Sequence, residues 1–276
     1  MLSHDPLWPR AGDWPAPTGF ADLALVGVPT HASSLSPTNA QLTPAAVRDA
    51  LRRYSIQSSL TIVDAGDSLD AAELGRIEAT LLIAIGGDNS ATVPVATARW
   101  GSFFGSAGLV TLDAHHDLRD GTSNGSPVRE LIEAGLDGRR VVQVGIEPFA
   151  NSAAYAQRAR DLGITVITRD ELERRGMADA MAEAFEIAAS GGGPVHVDLD
   201  VDVCDRSVAP ACPASVPGGI SAWQLRQAAR AAGAHPSVGS VDLVEVDATA
   251  DAPDGRTVRL VALCVLELAA ALEGRA

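Results

Sequence analysis

The chain has 276 residues, 46% of them hydrophobic but only 4% aromatic, and a formal net charge of -14. That balance argues against nucleic acid and anionic membrane surfaces as partners, while leaving room for a carboxylate-rich pocket that faces a cation. Three cysteines (Cys204, Cys212 and Cys264) without paired spacing argue against a disulfide framework. The absence of a long apolar stretch leaves no signal peptide or membrane span, so a cytoplasmic protein is expected.

Residues 1–20, with their Pro and Trp, read as an irregular arm laid across the body. Ala21 to Pro29 is the first expected strand and His31 to Gln41 a loop. A helix then opens at Thr43-Pro44, with Thr43 as cap and Pro44 at the first helical position, and runs to about Tyr54. The pattern continues with a strand over Leu60–Val63, a helix over Asp70–Glu78, a strand over Leu81–Ile85 and a helix over Ala91–Trp100. Leu109–Leu112 is a strand, Leu118–Ser126 a loop, and Pro127 to about Ala134 a helix. Arg140–Gly145 (strand), Ala153–Leu162 (helix) and Ile164–Thr168 (strand) follow, then one long helix over Asp170–Ala189, stopped by Gly191-Gly192-Gly193. Val195–Val203 (strand), Ala222–Ala232 (helix), Val238–Val246 (strand) and Thr257–Leu272 (helix) close the chain. No repeat or linker divides this series. Alternation of this kind predicts one three-layer α/β/α domain over 1–276, built on a mostly parallel sheet of eight strands. In such sheets ligands gather beyond the carboxyl ends of the strands, and there stand Asp88 and Asn89, Asp113 to Asp117, Asp200 to Asp205, and Glu245.

Two stretches carry chemistry. Asp113-Ala114-His115-His116-Asp117 follows the apolar run Ala107–Leu112, and an extended backbone would turn Asp113, His115 and Asp117 to one side. His196-Val197-Asp198-Leu199-Asp200-Val201-Asp202 alternates polar with apolar, placing its acids on one face roughly 6.6 Å apart. A strand buried in a parallel sheet is ordinarily apolar on both faces. Carboxylates crowded at buried strand ends repel one another unless a cation gathers them. The structural alternatives are helix-capping aspartates with a hydrogen-bonded His115, and an edge strand with one solvated side. Many carboxylates with few imidazoles suit a hard metal such as manganese, and two such ions sharing carboxylates would polarise a bridging water.

Four elements resemble the ureohydrolase family of arginases, agmatinases, guanidinobutyrases and formiminoglutamases. They are Gly86-Gly87-Asp88-Asn89-Ser90, the motif Asp113 to Asp117, the run Asp200 to Asp205 followed by Ala209-Pro210 and Pro217-Gly218-Gly219, and Val244-Glu245-Val246. The resemblance spans about Leu23 to Leu266 and implies the arginase-like fold and a small-molecule guanidino or amidino substrate. It implies two Mn2+ ions bridged by Asp113 and Asp200, with Asn89 and Asp117 completing one ion's shell and His115 and Asp202 the other's. It further implies Glu245 on the substrate guanidinium, Asp88 and Asp205 as supporting acids, and attack of a metal-bridging hydroxide on the amidine or guanidinium carbon. Homo-oligomers are frequent in the family.

This chain departs from the family pattern at Asn89, where histidine is usual, and at Asn124, where arginases and agmatinases often carry a proton-shuttling histidine. The loop from Asp117 to Asn124 is short and lacks the polar residues with which arginase grips its amino acid; Arg119 occupies one such place. Asn124, Arg119 and Glu245 are therefore the expected substrate contacts, with Asp117 and Glu245 catalytic. The Asn89 exchange is similar to that of the hydroxyarginine-cleaving branch of D-cycloserine biosynthesis, which implies Nω-hydroxy-L-arginine as substrate and hydroxyurea and L-ornithine as products. Agmatinase-, arginase- or formiminoglutamase-type hydrolysis is the alternative. A degenerate protein that binds metal or ligand without turnover and a zinc deacetylase on the same fold stand behind it. Asn89 itself has a second reading, as the cap of the helix that begins near Ser90.

Overall fold

All eight strands form one sheet, and each of its seven neighbouring pairs is parallel. The computed structural model describes residues 5–56 and 58–275; the first four residues of the expected arm lie outside them. The strands are β1 (Ala21–Val28), β2 (Ile62–Asp67), β3 (Ala79–Gly86), β4 (Gly108–Leu112), β5 (Val141–Ile146), β6 (Thr165–Thr168), β7 (Val195–Asp200) and β8 (Val238–Val244). Their order across the sheet is β2-β1-β3-β8-β7-β4-β5-β6. The helices are α1 (Thr43–Leu51), α2 (Ala71–Gly75), α3 (Thr92–Trp100), α4 (Pro127–Glu133), α5 (Ala153–Asp161), α6 (Glu171–Arg174), α7 (Met177–Ala188), α8 (Ala222–Ala234) and α9 (Arg256–Leu272). No helix among the described residues is long and apolar enough to cross a membrane.

The aliphatic composition fits a sheet covered on both faces. Leu23, Leu81, Val110, Val142, Val197 and Val241 point toward α1, α7, α8 and α9, while Ala24, Leu82, Leu109 and Val141 point toward α2, α3 and α4. The arm from Asp5 crosses the end of α1 and the outer edge of β2: Ala11 donates to Tyr54 O at 3.0 Å and Asp64 N–H to Pro15 O at 2.9 Å. That covers an otherwise open sheet edge.

Several boundaries move from those the sequence suggests. The long helix expected over Asp170–Ala189 is two helices, because Arg175 and Gly176 are extended (ψ 150° and 153°) and break the ladder between α6 and α7. β2 starts at Ile62 and continues to Asp67, and α2 is confined to Ala71–Gly75. β7 stops at Asp200 and β8 at Val244, so Asp202 and Glu245 stand beyond the strands instead of on them. Asp113, His115 and Asp117 do not lie on an extended backbone either, since β4 ends at Leu112 and Asp117 has φ +52°.

Candidate metal centre and active site

The loops that leave β3, β8, β7 and β4 carry the acids singled out above, and these four strands are adjacent in the sheet. Each exit uses the same device. An aspartate carboxylate accepts the N–H two residues on: Asp88 from Ser90 (3.2 Å), Asp113 from His115 (2.6 Å), Asp200 from Asp202 (2.8 Å) and Asp247 from Thr249 (2.9 Å). Such local bonds compete with the strand ladder and turn the chain away from it. They also explain why the extended-strand geometry fails at Asp117 and Asp202 while the side chains still converge. Gly87 permits the first exit, because a Cβ there would lie 1.8 Å from Thr30 O.

Asp113, His115 and Asp202 form a compact cluster, with ligand atoms within 4.8 Å of one another. His115 Nδ1 lies 3.0 Å from Asp202 Oδ2 and 3.3 Å from Asp113 Oδ1. Although burial opposes it, Asp202 and Asp113 hold the imidazole protonated, its pKa pushed up to about 12. That one imidazolium answers Asp202 best and does not offset the other carboxylates around it. Burial, then Asp202, raises Asp113 to about 6, and burial with acidic neighbours lifts Asp117 and Asp200 well above the ordinary carboxylate range. Asp202 is held low by His115 against the effect of burial. Asp113 Oδ2 is buried without any hydrogen-bond partner. A buried, partnerless oxygen among carboxylates and one imidazole is the donor set a hard divalent cation requires, so the residues fit manganese.

A cavity of about 320 Å³ opens on this cluster, walled by His115, Asp117, Asp200, Asp202 and Glu245 inside, and by Leu35, Arg119, Asn124 and Tyr155 farther out. Glu245 (φ +63°) and Asp117 are the two non-glycine residues with positive φ among the described residues, a conformation that costs energy and marks functional positions. Burial, then Asp202, raises Glu245 to about 7. Its carboxylate accepts from Asn124 Nδ2 at both oxygens (3.0 and 3.1 Å) and from Asn89 N–H at Oε2 (2.9 Å). Asn124 thus grips Glu245, and its Oδ1 accepts from Leu35 N–H at 2.9 Å. Arg119, at the exposed wall, is the one arginine lining the cavity, and its guanidinium has no partner among the described residues.

Asn89 lies behind Asp117, and the capping role belongs to its neighbour Asp88. The Asn89 amide turns its nitrogen to Asp117 Oδ2 (2.5 Å), and its oxygen accepts from the Thr92 hydroxyl (2.7 Å). The solvated-edge reading of β7 does not hold, because His196, Asp198 and Asp200 are all buried in the middle of the sheet. His196 is a satisfied core residue, on Ser240 Oγ at 2.8 Å and Asp242 at 3.2 Å. Asp205 braces its own loop through Ser207 N–H and Gly218 N–H. All three cysteines are buried and free, their thiols pushed up by burial, in keeping with a structural role.

Asn151 escaped the sequence reading. Its amide donates to Ala114 O (2.8 Å) and Glu147 O (2.9 Å), and its oxygen accepts from His116 N–H (3.0 Å), so it clamps the backbone on both sides of His115. Its signal was positional: it follows the carboxyl end of β5, next to β4 in the sheet. Thr92, which fixes the Asn89 amide, gave no signal beyond its place at a helix start.

A parallel sheet of this order, with acids gathered at four adjacent carboxyl ends, defines an arginase-fold protein with a candidate divalent-metal centre. The family model described as the arginase family matches residues 21–271, and the chain belongs to that family. Formimidoylglutamase of Halalkalibacterium halodurans is 34% identical over 258 residues, covering 83% of this chain and 81% of that protein. The crystal structure of formimidoylglutamase from Bacillus subtilis superposes with a TM-score of 0.91 at 28% identity, covering 99% of this chain and 94% of the other. Formiminoglutamase of Trypanosoma cruzi, solved with Mn2+, gives a TM-score of 0.85 at 24% identity over 97% and 99% of the two chains, a likeness of fold. The chain is accordingly an enzyme, a hydrolase of linear amidines.

Proposed function

We propose that the enzyme cleaves a C–N bond of a small amidino or guanidino acid, N-formimidoyl-L-glutamate being the leading substrate, in a site that holds two manganese ions. The lining of the cavity carries this reading: it combines buried Glu245 with exposed Arg119, whose guanidinium has no partner among the described residues. A cationic amidine head and a carboxylate tail would answer both. Agmatine, cationic at each end, would set an ammonium against Arg119. The formimidoylglutamase relatives support the same choice. Nω-hydroxy-L-arginine, the substrate suggested by the Asn89 exchange, has no support among those relatives and serves as the comparison compound.

Asp113, His115 and Asp202 would hold one part of the metal centre, with Asp117 and Asp200 beside them. Asn89 would contribute Oδ1 after its amide turns over, a change Thr92 tolerates because a hydroxyl accepts as well as donates. Bound ions of this kind supply a strongly acidified water near neutral pH. Glu245 pairs with the amidinium and fixes the plane of the carbon to be attacked. Two donors already occupy its Oε2, so Oε1 is the freer oxygen for substrate.

The test is release of formamide, urea or hydroxyurea by the manganese-loaded enzyme from N-formimidoyl-L-glutamate, guanidinopropionate, agmatine, L-arginine and Nω-hydroxy-L-arginine. The amidino and guanidino acids with a free carboxylate tail and no amine should give the highest kcat/KM. Agmatine as best substrate would overturn the reading, and hydroxyurea as the dominant product would restore the hydroxyarginine assignment.

A further inference from the structure

We infer that Gly125 is a positioning residue for the substrate carboxylate: the space left by its missing side chain is the seat over which Arg119 lies to present its guanidinium to the cavity. This rests on the anionic-substrate reading above and says how that specificity is built. A Cβ at position 125 would lie 2.7 Å from Arg119 Cδ, 3.1 Å from Arg119 Nε and 3.3 Å from Leu35 Cδ1. Carbon atoms in relaxed contact sit about 3.5–4.0 Å apart, so the arginine stem has to move.

The backbone ties the same two residues together. Arg119 N–H donates to Gly125 O at 3.0 Å, so the side chain folds back over the residue that its own main chain holds. Arg129 Nε on Arg119 O (2.6 Å) and Arg129 Nη2 on Gly121 O (2.6 Å) fix the near side of the loop. Position 125 also follows Asn124, the residue that grips Glu245. Two consecutive residues therefore set both ends of the bound molecule, Asn124 through the head-binding glutamate and Gly125 through the tail-binding arginine. The φ of Gly125 lies outside the left-handed range, so alanine meets no backbone strain there, and its effect should pass through Arg119.

The experiment compares Gly125→Ala, Arg119→Ala and the double variant, each manganese-loaded, by KM and kcat on the anionic substrate. N-propylguanidine, which has the cationic head and no carboxylate, is the competitive inhibitor measured beside it. Gly125→Ala should raise KM about tenfold or more, the scale of a lost charge-assisted hydrogen bond, with kcat kept within about twofold. The Ki of N-propylguanidine should not change, and the double variant should be no worse than Arg119→Ala alone. If Arg119→Ala raises KM and Gly125→Ala does not, the seat is refuted while the anionic-substrate reading survives. An unchanged KM in Arg119→Ala removes both. Equal increases in KM and Ki in Gly125→Ala would mean a general loop role and also refute the seat. Should Gly125→Ala fail to fold, the double variant decides: folding regained without the arginine stem supports the contact, and failure in both overturns it.

Discussion

Two buried glutamates, Glu245 and Glu267, are 4% and 6% exposed. Glu267 on α9 meets two arginines of α8, Arg226 Nη2 at 2.6 Å and Arg230 Nη2 at 2.5 Å, and its charge is cancelled by protein. Among the described residues Glu245 meets only amides, from Asn124 and Asn89, and it faces further acids. The same contrast separates Asp64, clasped by Arg48 Nε at 2.7 Å near the edge of the sheet, from Asp113, Asp117 and Asp200 at its centre. An acid answered by arginine reads as architecture. An acid answered by other acids waits for something the chain does not supply.

The sharpest way to break this comparison is to remove the central acids. Asp200→Ala or Asp113→Ala should abolish turnover and leave no tightly held manganese, because the family resemblance implies that each carboxylate would serve both ions. Metal analysis of either variant that finds the wild-type manganese content would contradict the assignment.

Next in size is the glutamate pair itself. Glu245→Gln should keep its metal and lose about a hundredfold or more in kcat/KM, since a neutral amide cannot pair with an amidinium in charge. Glu267→Gln should leave kinetics unchanged and cost roughly 1–2 kcal/mol of stability, modest because both arginines remain partly in water. Denaturant melts together with kinetics on both variants check the pair. A stability loss in Glu245→Gln without loss of rate would erase the distinction.

A smaller effect, of defined sign, lies in pH. Asp113 is raised from 3.8 to about 6 and Glu245 from 4.5 to about 7, so the metal-free native state holds more protons than the unfolded chain in that interval. Their contribution to stability is complete below the lower values and is lost as pH rises through the upper ones. Thermal melts of the metal-free protein should therefore show falling stability from about pH 4 to about pH 7, and manganese should reverse the fall at the upper end. His115, raised from 6.5 to about 12, acts in the same direction at higher pH. A metal-free protein whose stability rises across that window would contradict the crowding of unanswered acids.

Much of this was legible in the residues. Alternating apolar runs, turn residues and caps placed the eight strands to within a few positions, and the acids at their ends pointed to the candidate site. What could not be read was adjacency. The order β3-β8-β7-β4 brings Asn89, Glu245, Asp200 and Asp113 to neighbouring exits, although their positions in the chain are far apart. Side-chain turns were hidden as well. Asp113 and Asp200 bend their own backbones through bonds to His115 and Asp202, so a strand-like spacing in the sequence becomes a tight turn. Asn124, expected as a substrate contact, lines the cavity and also holds Glu245, a bond no local pattern announces, while the bonds of Asn151 run to backbone atoms of another loop and leave no mark in the sequence.

The central claim is that the unanswered acids are answered by two ions. Crystals grown with manganese and measured at its absorption edge test it most directly. Two anomalous peaks roughly 3.5 Å apart are expected, with Asp113 and Asp200 between them and Asn89 Oδ1 turned toward the ion nearest Asp117. A single peak, or two peaks with either bridging aspartate outside coordination distance, would contradict it.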